Sequence, residues 1–161
     1  MLNDQINAAR EVTKTNTSTL DTFKSLELGF IGYMQDNKPH FYRQSTRKNT
    51  TDTEFDIMRL DVLPQVEIVY GYANVNRIAV DAFMASGARE IVYAGVGDGS
   101  LADPVKSALI EARKQGAVIV RSSRVGQGIV ARNGEANDDE LAATLNDTPQ
   151  SFRHCWLLQI R

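Results

Sequence analysis

One lysine near the amino terminus, Lys14, lies among hydroxyl side chains in the stretch REVTKTNTSTLDTFKS, residues 10–25. Lys14 and Lys24 are the only lysines in the first 37 residues, and five threonines surround Lys14. An uncharged lysine amine can relay a proton from a hydroxyl, which would make Lys14 a general base. A solvated polar loop with no catalytic role explains the same composition. These residues alone do not decide between the two interpretations.

A second stretch that could do chemistry is AGVGDGS, residues 94–100, which follows a predicted strand and precedes a predicted helix. A βα turn of this kind lies at the ligand-binding edge of a parallel sheet. The dinucleotide fingerprint G-x-G-x-x-G would need glycine where Ser100 stands, and the next strand ends without an acidic residue. The glycines therefore indicate either a tight turn or a small-ligand site. A non-catalytic, Rossmann-like module that binds a small ligand or nucleotide is the alternative function.

A third candidate lies in the loop-like segment RSSRVGQGIVARNGEANDDE, residues 121–140, which carries four acidic side chains. Such a charge run is usually a solvated face of the protein. The alternative interpretation is that one of these acids, Glu135, has a functional role.

The remaining composition excludes several classes of function. A net charge of −2 without a basic cluster gives no reason to expect nucleic acid as a partner. No apolar run reaches the length of a membrane span, and the amino-terminal stretch MLNDQINAAR has no signal-peptide pattern. The single cysteine, Cys155, allows no internal disulfide, and His40 and His154 have no metal-ligand spacing. We therefore expect no metal and no cofactor.

The second half of the chain predicts an α/β fold. Three short β-branched runs alternate with helical segments, which predicts adjacent parallel strands joined by right-handed crossovers: VEIVYG (66–71), EIVYAG (90–95) and AVIVRS (117–122). The first helix, about residues 77–86, has Ile78, Ala82 and Ala85 on one side and ends at Gly87. In the second helix, Asp103 is the predicted N-cap before Pro104, and Gly116 ends the helix. Its predicted apolar stripe comprises Val105, Ala108, Leu109 and Ala112.

The first part of the chain follows a different pattern. The stretch GFIGYMQDNKPHFYRQ, residues 29–44, predicts a β-hairpin that turns at residues 36–39. Residues 43–64 are polar, then weakly apolar, and predict an inter-domain linker. We therefore expect residues 1–42 to be the remnant of a larger α/β amino-terminal domain. Residues 65–161 form a small parallel-sheet, Rossmann-like carboxyl-terminal domain with an atypical tail after about residue 143.

Several long stretches together resemble one known family. They are REVTKTNT, TFKS, GYMQDNKPHFYR, VYGYAN, AGVGDGS, RSSRVGQG and GEANDD. In this order and spacing they resemble the bacterial type II L-asparaginases, and more narrowly the glutaminase-asparaginase subgroup. The resemblance extends to about Asp139 and covers roughly the carboxyl-terminal half of such an enzyme. It implies an amidohydrolase that releases ammonia from L-asparagine and L-glutamine through a covalent acyl-threonine intermediate.

The resemblance also implies roles for three residues. Lys14 corresponds to the catalytic lysine, which works with a threonine–aspartate pair. Ser100 falls where the family uses asparagine or serine to contact the substrate, and the smaller serine leaves room for the longer glutamine side chain. Glu135 corresponds to the acid that binds the substrate α-ammonium group through a charge-assisted hydrogen bond. The family further implies a homotetramer whose active sites are shared between subunits, and a periplasmic location.

Other features depart from the family pattern. The nucleophile stretches T-G-G-T-I and H-G-T-D-T are absent from the 161 residues, and TTDT at residues 50–53 belongs to the linker. The chain is therefore expected to be inactive alone, and a non-catalytic assembly fragment is a further possibility. Asp98 replaces the usual asparagine and adds a charge near the site. The tail LNDTPQSFRHCWLLQIR lacks the closing amphipathic helix, which suggests a reading-frame slip or truncation after Asn146.

Overall fold

The computed structural model describes residues 3–9, 11–46, 52, 61–126, 128–132 and 141. The chain divides into two compact units, Met1–Glu54 and Phe55–Arg161. The described strands of the first unit are β1 (Gln5–Ile6), β2 (Thr13–Lys14), β3 (Phe23–Lys24), β4 (Gly32–Gln35) and β5 (Lys38–Phe41). The second unit has β6 (Val66–Tyr70), α1 (Ile78–Ala85), β7 (Glu90–Gly95), α2 (Asp103–Lys114) and β8 (Val118–Ser123).

The first unit contains the predicted hairpin. Strands β4 and β5 pair antiparallel, with Gln35 opposite Lys38, so the turn has only two residues. Those residues, Asp36 and Asn37, have φ values of 50° and 59°, as the right-handed twist of a two-residue hairpin requires. Strand β1 adds to β4, and β2 pairs antiparallel with β3 in a separate ribbon. The hairpin prediction is confirmed, with a turn shorter than the four residues expected.

The second unit contains the predicted parallel sheet, in the order β6–β7–β8. Every residue of the central strand β7 is buried, so both of its faces are covered. Ile91 and Tyr93 on one face belong to the main apolar cluster with helix residues Val80 and Leu109. Burying each such side chain stabilises the fold by roughly 1.5–3 kcal/mol. The α/β fold class is confirmed, because the three predicted strands pair in parallel and alternate with the two helices.

Helix α2 follows the predicted pattern except at its first residue. Its four predicted stripe residues, Val105, Ala108, Leu109 and Ala112, are buried. Its N-cap is Ala102, not Asp103 as expected: Ala102 has extended backbone geometry, and its carbonyl accepts the first intrahelical bond, from the Lys106 N–H. Asp103 instead lies in the first turn, where its carboxylate interacts favourably with the helix dipole. Gly116 follows the helix with a φ of +96°, which confirms the predicted stop.

Helix α1 buries a different face from the one that its predicted stripe suggested. Ile78, Ala82 and Ala85 are all exposed, and Ile78 is 69% accessible. The buried residue is Val80, at 0% accessibility, with Phe83 and Met84 packed beside it. Seven of the eight residues in IAVDAFMA are apolar, so the sequence alone does not select one face.

Candidate functional site

Lys14 lies in the β2–β3 ribbon of the first unit, directly opposite Phe23. Its side chain is exposed. Within the described residues, no hydrogen bond or ion pair engages the Lys14 ammonium group. The ribbon therefore presents an amine that is available to a partner.

The hydroxyl groups around Lys14 shape the loop that joins the two strands. The Thr15 N–H and hydroxyl both donate to the Thr22 carbonyl, at 2.7 and 2.8 Å. The buried Thr22 hydroxyl donates to the Asn16 carbonyl at 2.6 Å and accepts from the Asn16 N–H at 2.8 Å. The Asn16 side-chain oxygen accepts from the N–H groups of Ser18 and Thr19 at 2.9 and 3.2 Å. These groups are structural, because each one satisfies backbone atoms at the end of the ribbon.

The other lysine of the ribbon, Lys24, has a different environment. Its ammonium forms an ion pair with Asp21 at 3.0 Å, and Asp21 also accepts a hydrogen bond from the Asn3 side chain at 2.6 Å. Lys24 lies opposite Thr13, one position along the ladder from Lys14. Side chains of adjacent strand residues point to opposite faces. The cross-strand pair Thr13–Lys24 therefore lies on one face of the ribbon, and the pair Lys14–Phe23 lies on the other. Among the described residues, Lys24 has a charged partner and Lys14 has none, so Lys24 provides a matched control for Lys14.

Ser100 closes the turn between β7 and α2 in the second unit. Its N–H donates to the Val96 carbonyl at 3.0 Å, and the two residues form an antiparallel bridge. Gly97 and Gly99 have φ values of +53° and +76°, which favour glycine. The side chain of Ser100 is half-buried. The predicted βα turn at the carboxyl edge of the sheet is therefore present.

Two side chains of strand β8 donate hydrogen bonds to the backbone of this turn. The Ser123 hydroxyl donates to the Gly97 carbonyl at 2.5 Å, and Arg121 Nη1 donates to the Asp98 carbonyl at 2.8 Å. Arg121 Nη2 also donates to the Ala131 carbonyl at 2.5 Å. The Ala131 N–H returns a 2.8 Å bond to Asp98 Oδ1. The charge that Asp98 adds is therefore used to bind a backbone N–H, and these bonds join the turn to residues 128–132.

Two further contacts tie together the carboxyl ends of the strands. The Arg124 N–H donates to the Gly95 carbonyl at 2.9 Å, and Arg124 Nη1 donates to the Gly71 carbonyl at 2.6 Å. Burial raises the pKa of the Tyr93 phenol, and a hydrogen bond with the Ala102 backbone lowers it in part. With its two bonds, Arg124 connects the carboxyl ends of β6, β7 and β8, the edge of the sheet at which the Ser100 turn lies.

The three predicted site residues have different outcomes in the structure. Lys14 lies in the first unit and Ser100 in the second. Glu135 lies outside the described residues. Sequence reasoning missed Arg121 and Ser123 as residues that shape the turn. The available signal was an arginine and two serines at the end of an otherwise apolar strand, where a buried polar group needs a partner.

Comparison with known protein families identifies the chain. The family model described as "Glutaminase/Asparaginase C-terminal domain" matches residues 65–153, more than half of the chain. The model described as "Asparaginase, N-terminal" matches residues 1–47. The chain belongs to the asparaginase family. The resemblance seen in the sequence is thereby confirmed, and the βα turn with Ser100 lies in the asparaginase carboxyl-terminal match.

Curated asparaginase relatives match nearly the whole chain but only part of their own length. L-asparaginase 2 of Bacillus subtilis (strain 168) is 45% identical over 160 residues, 99% of this chain and 42% of the relative. Glutaminase-asparaginase of Pseudomonas fluorescens biotype A is 43% identical over 140 residues, covering 86% and 38%. A Haemophilus influenzae protein named "Probable L-asparaginase periplasmic" is 36% identical over 154 residues, covering 94% and 44%. The chain thus spans less than half the length of these relatives.

Among the described residues, no group of histidine, cysteine, aspartate and glutamate side chains is arranged to hold a metal ion. The longest described helix, α2, has 12 residues, and no described helix has the length and apolarity of a membrane span.

Proposed function

We propose that this chain forms part of an amidohydrolase that hydrolyses L-asparagine and L-glutamine to the corresponding acid and ammonia. Relatives that carry the names L-asparaginase 2 and glutaminase-asparaginase support this substrate class. The observation that carries the proposal is the amine of Lys14, which the described residues leave without a partner inside a ribbon that family matching assigns to an asparaginase domain.

Lys14 acts as the general base of an acyl-threonine mechanism. A threonine hydroxyl attacks the amide carbonyl carbon, and its proton passes toward the Lys14 amine. The amide nitrogen takes up a proton as the C–N bond breaks and leaves as ammonia. Water then hydrolyses the acyl-threonine ester and releases the acid. The nucleophile stretches T-G-G-T-I and H-G-T-D-T do not occur in these 161 residues, so the threonines must come from another polypeptide segment.

Ser100 and Glu135 bind the substrate in this proposal. The Ser100 hydroxyl supplies a small polar contact at the edge of the sheet, and the turn that carries it is fixed by the bonds from Arg121 and Ser123. Glu135 accepts a charge-assisted hydrogen bond from the substrate α-ammonium group. Active sites are shared between the subunits of a homotetramer in the periplasm, a location that also stands in the name of the Haemophilus influenzae relative.

The 161-residue chain is a fragment that is inactive alone. A threonine nucleophile and its activating groups act as a unit, so a polypeptide holding only the lysine retains little turnover. Residues 1–42 are then the remnant of the amino-terminal domain, residues 43–64 the linker, and residues 65–161 the carboxyl-terminal domain.

The test joins this chain to the part of the Bacillus subtilis relative that precedes the matched region. Ammonia release from L-asparagine is expected from the fusion and not from the chain alone. Lys14→Met should lower kcat of the fusion by about 100- to 10,000-fold, whereas Lys24→Met should leave kcat within about threefold. Equal losses in both variants would contradict the role of Lys14. Calorimetric titration with L-aspartate and with nucleotides distinguishes this function from the non-catalytic binding module.

A further inference from the structure

We propose that Arg121 is a positioning residue that holds the Ser100 turn and residues 128–132 in one fixed arrangement. This role rests on the proposed function, because Ser100 is the residue whose position matters for the substrate. Arg121 does not touch the substrate itself. It acts through the backbone of the turn that carries Ser100.

The guanidinium of Arg121 bridges two chain segments that are not otherwise neighbours in sequence. Its Nη1 donates to the Asp98 carbonyl at 2.8 Å, and its Nη2 donates to the Ala131 carbonyl at 2.5 Å. The same two residues are joined a second time, because the Ala131 N–H donates to Asp98 Oδ1 at 2.8 Å. Three hydrogen bonds thus connect the turn with the segment that leads toward Glu135.

The residue type suits this task. Arg121 is only 7% accessible, so its hydrogen bonds form largely away from water. Guanidinium presents several N–H donors in a rigid planar fork and stays charged at any pH at which proteins fold, which makes a two-carbonyl bridge both directional and insensitive to pH. A lysine ammonium in the same place is a point charge without the fork.

Gly99 makes space for the bridge. A Cβ atom built on Gly99 would lie 3.2 Å from Arg121 Nη1, 3.0 Å from the Ser122 carbonyl oxygen and 3.0 Å from Val130 Cγ1. Any side chain there would crowd both the guanidinium and residues 128–132. Gly99 also has a φ of +76°, so both the close contacts and the backbone conformation favour glycine at this position.

Hydrogen exchange of the 161-residue chain tests the bridge without any need for activity. Arg121→Met keeps the length of the side chain but leaves two carbonyls without their donor. We expect the Ser100 and Ala131 amides to exchange at least about tenfold faster, while amides in the middle of β7 keep their rates. Arg89→Met removes an exposed arginine at the other end of β7 and should change none of these rates.

A second pair of variants tests the other hydrogen bond between the turn and Ala131. Asp98→Ala removes the carboxylate that accepts from the Ala131 N–H, and should speed exchange at Ala131. Asp98→Asn keeps an acceptor oxygen and should restore slow exchange. Unchanged exchange at both Ser100 and Ala131 in a folded Arg121→Met, or in Arg121→Lys if Arg121→Met does not fold, would overturn the proposal.

Kinetics of the fusion enzyme separate positioning from general stability. Arg121→Lys and Asp98→Ala should raise KM for L-asparagine by about tenfold while kcat changes by less than about threefold. A purely structural defect would lower the active fraction, and hence the apparent kcat, at constant KM, which would count against positioning. If the unmodified fusion releases no ammonia, the proposed function fails, and the exchange measurements still decide whether Arg121 fixes the turn.

Discussion

Two glycines of the Ser100 turn, Gly95 and Gly97, are required for different physical reasons. A Cβ atom on Gly95 would lie 2.5 Å from the Gly99 carbonyl carbon and 2.6 Å from the Ser100 carbonyl oxygen, both of them backbone atoms that cannot rotate away. Gly97 has a φ of +53° and nothing within 4 Å of such a Cβ. Gly95 is therefore constrained by space, and Gly97 only by backbone geometry.

This difference predicts unequal costs for the two alanine variants. Gly95→Ala should lower the free energy of unfolding by about 3 kcal/mol, because the turn must move away from β7. Gly97→Ala should cost about 1 kcal/mol, the strain of a left-handed alanine. Urea unfolding of both variants measures the two values. Equal costs would mean that the turn can move freely away from the strand.

At the site, the sequence predicted the turn that carries Ser100 but not the long-range hydrogen bonds that hold it. Ser100 and its turn follow from a local pattern of strand, glycines and helix, and the structure has that turn. The partners of Asp98 do not follow from local pattern, since Arg121 and Ala131 are 23 and 33 positions away. Hydrogen bonds across such separations depend on strand order, which local periodicity does not contain.

At the scale of elements, the hairpin, the three parallel strands and α2 follow from clear local patterns, whereas the two-residue strands β1, β2 and β3 were not predicted. The two helices differ in this respect. Helix α2 mixes charged and apolar residues, so the stripe of Val105, Ala108, Leu109 and Ala112 identifies the buried face. Helix α1 is apolar at nearly every position, so any face could be buried, and contacts with the rest of the unit select Val80.

The observed face of α1 predicts the effect of truncating its side chains. Val80→Ala should lower the free energy of unfolding by about 1.5–3 kcal/mol, because Val80 is fully buried. Ile78→Ala removes more atoms but should change it by less than about 0.5 kcal/mol, because Ile78 is exposed. Thermal or urea unfolding of the two variants checks this order. The reverse order would place Ile78, not Val80, in the core.

An ion-pair cluster connects α1 with α2 and predicts a pH dependence. Arg77 bonds Asp81 at 2.7 Å and Glu111 at 2.6 Å, and these hydrogen bonds lower the pKa of both carboxyl groups. A carboxyl whose pKa is lowered by folding stabilises the protein above its unfolded-state pKa, and this contribution is lost as the pH falls through the folded value. The loss should therefore occur below about pH 4.5.

Arg77→Met tests that dependence. The variant should lose less stability than the unmodified chain between about pH 6 and about pH 3, and the difference should be small because all three side chains are exposed. Unfolding midpoints in urea at both pH values give the comparison, with Arg89→Met as the control arginine. Parallel changes in all three proteins would show that the cluster does not contribute.

At the scale of the whole molecule, the two units differ in how much apolar surface they bury. All the apolar side chains that are fully buried in the described residues lie from Val69 onward. In the described part of the first unit, large apolar side chains remain exposed, among them Leu20, Leu26, Leu28, Phe41 and Tyr42. A small unit without a buried apolar core has little to offset the entropy of ordering its backbone.

The two units should therefore differ in stability within the same chain. We expect amides of β7 to be protected from hydrogen exchange at least about 1,000-fold more than those of β4, because β7 lies in the buried sheet. Mass spectrometry of peptides from each unit measures both. In the fusion with the Bacillus subtilis segment, protection of β2 and β3 should rise as the exposed apolar side chains are covered. If β4 and β7 were equally protected in the unfused chain, the first unit, including the strand that carries Lys14, would be stably folded by itself.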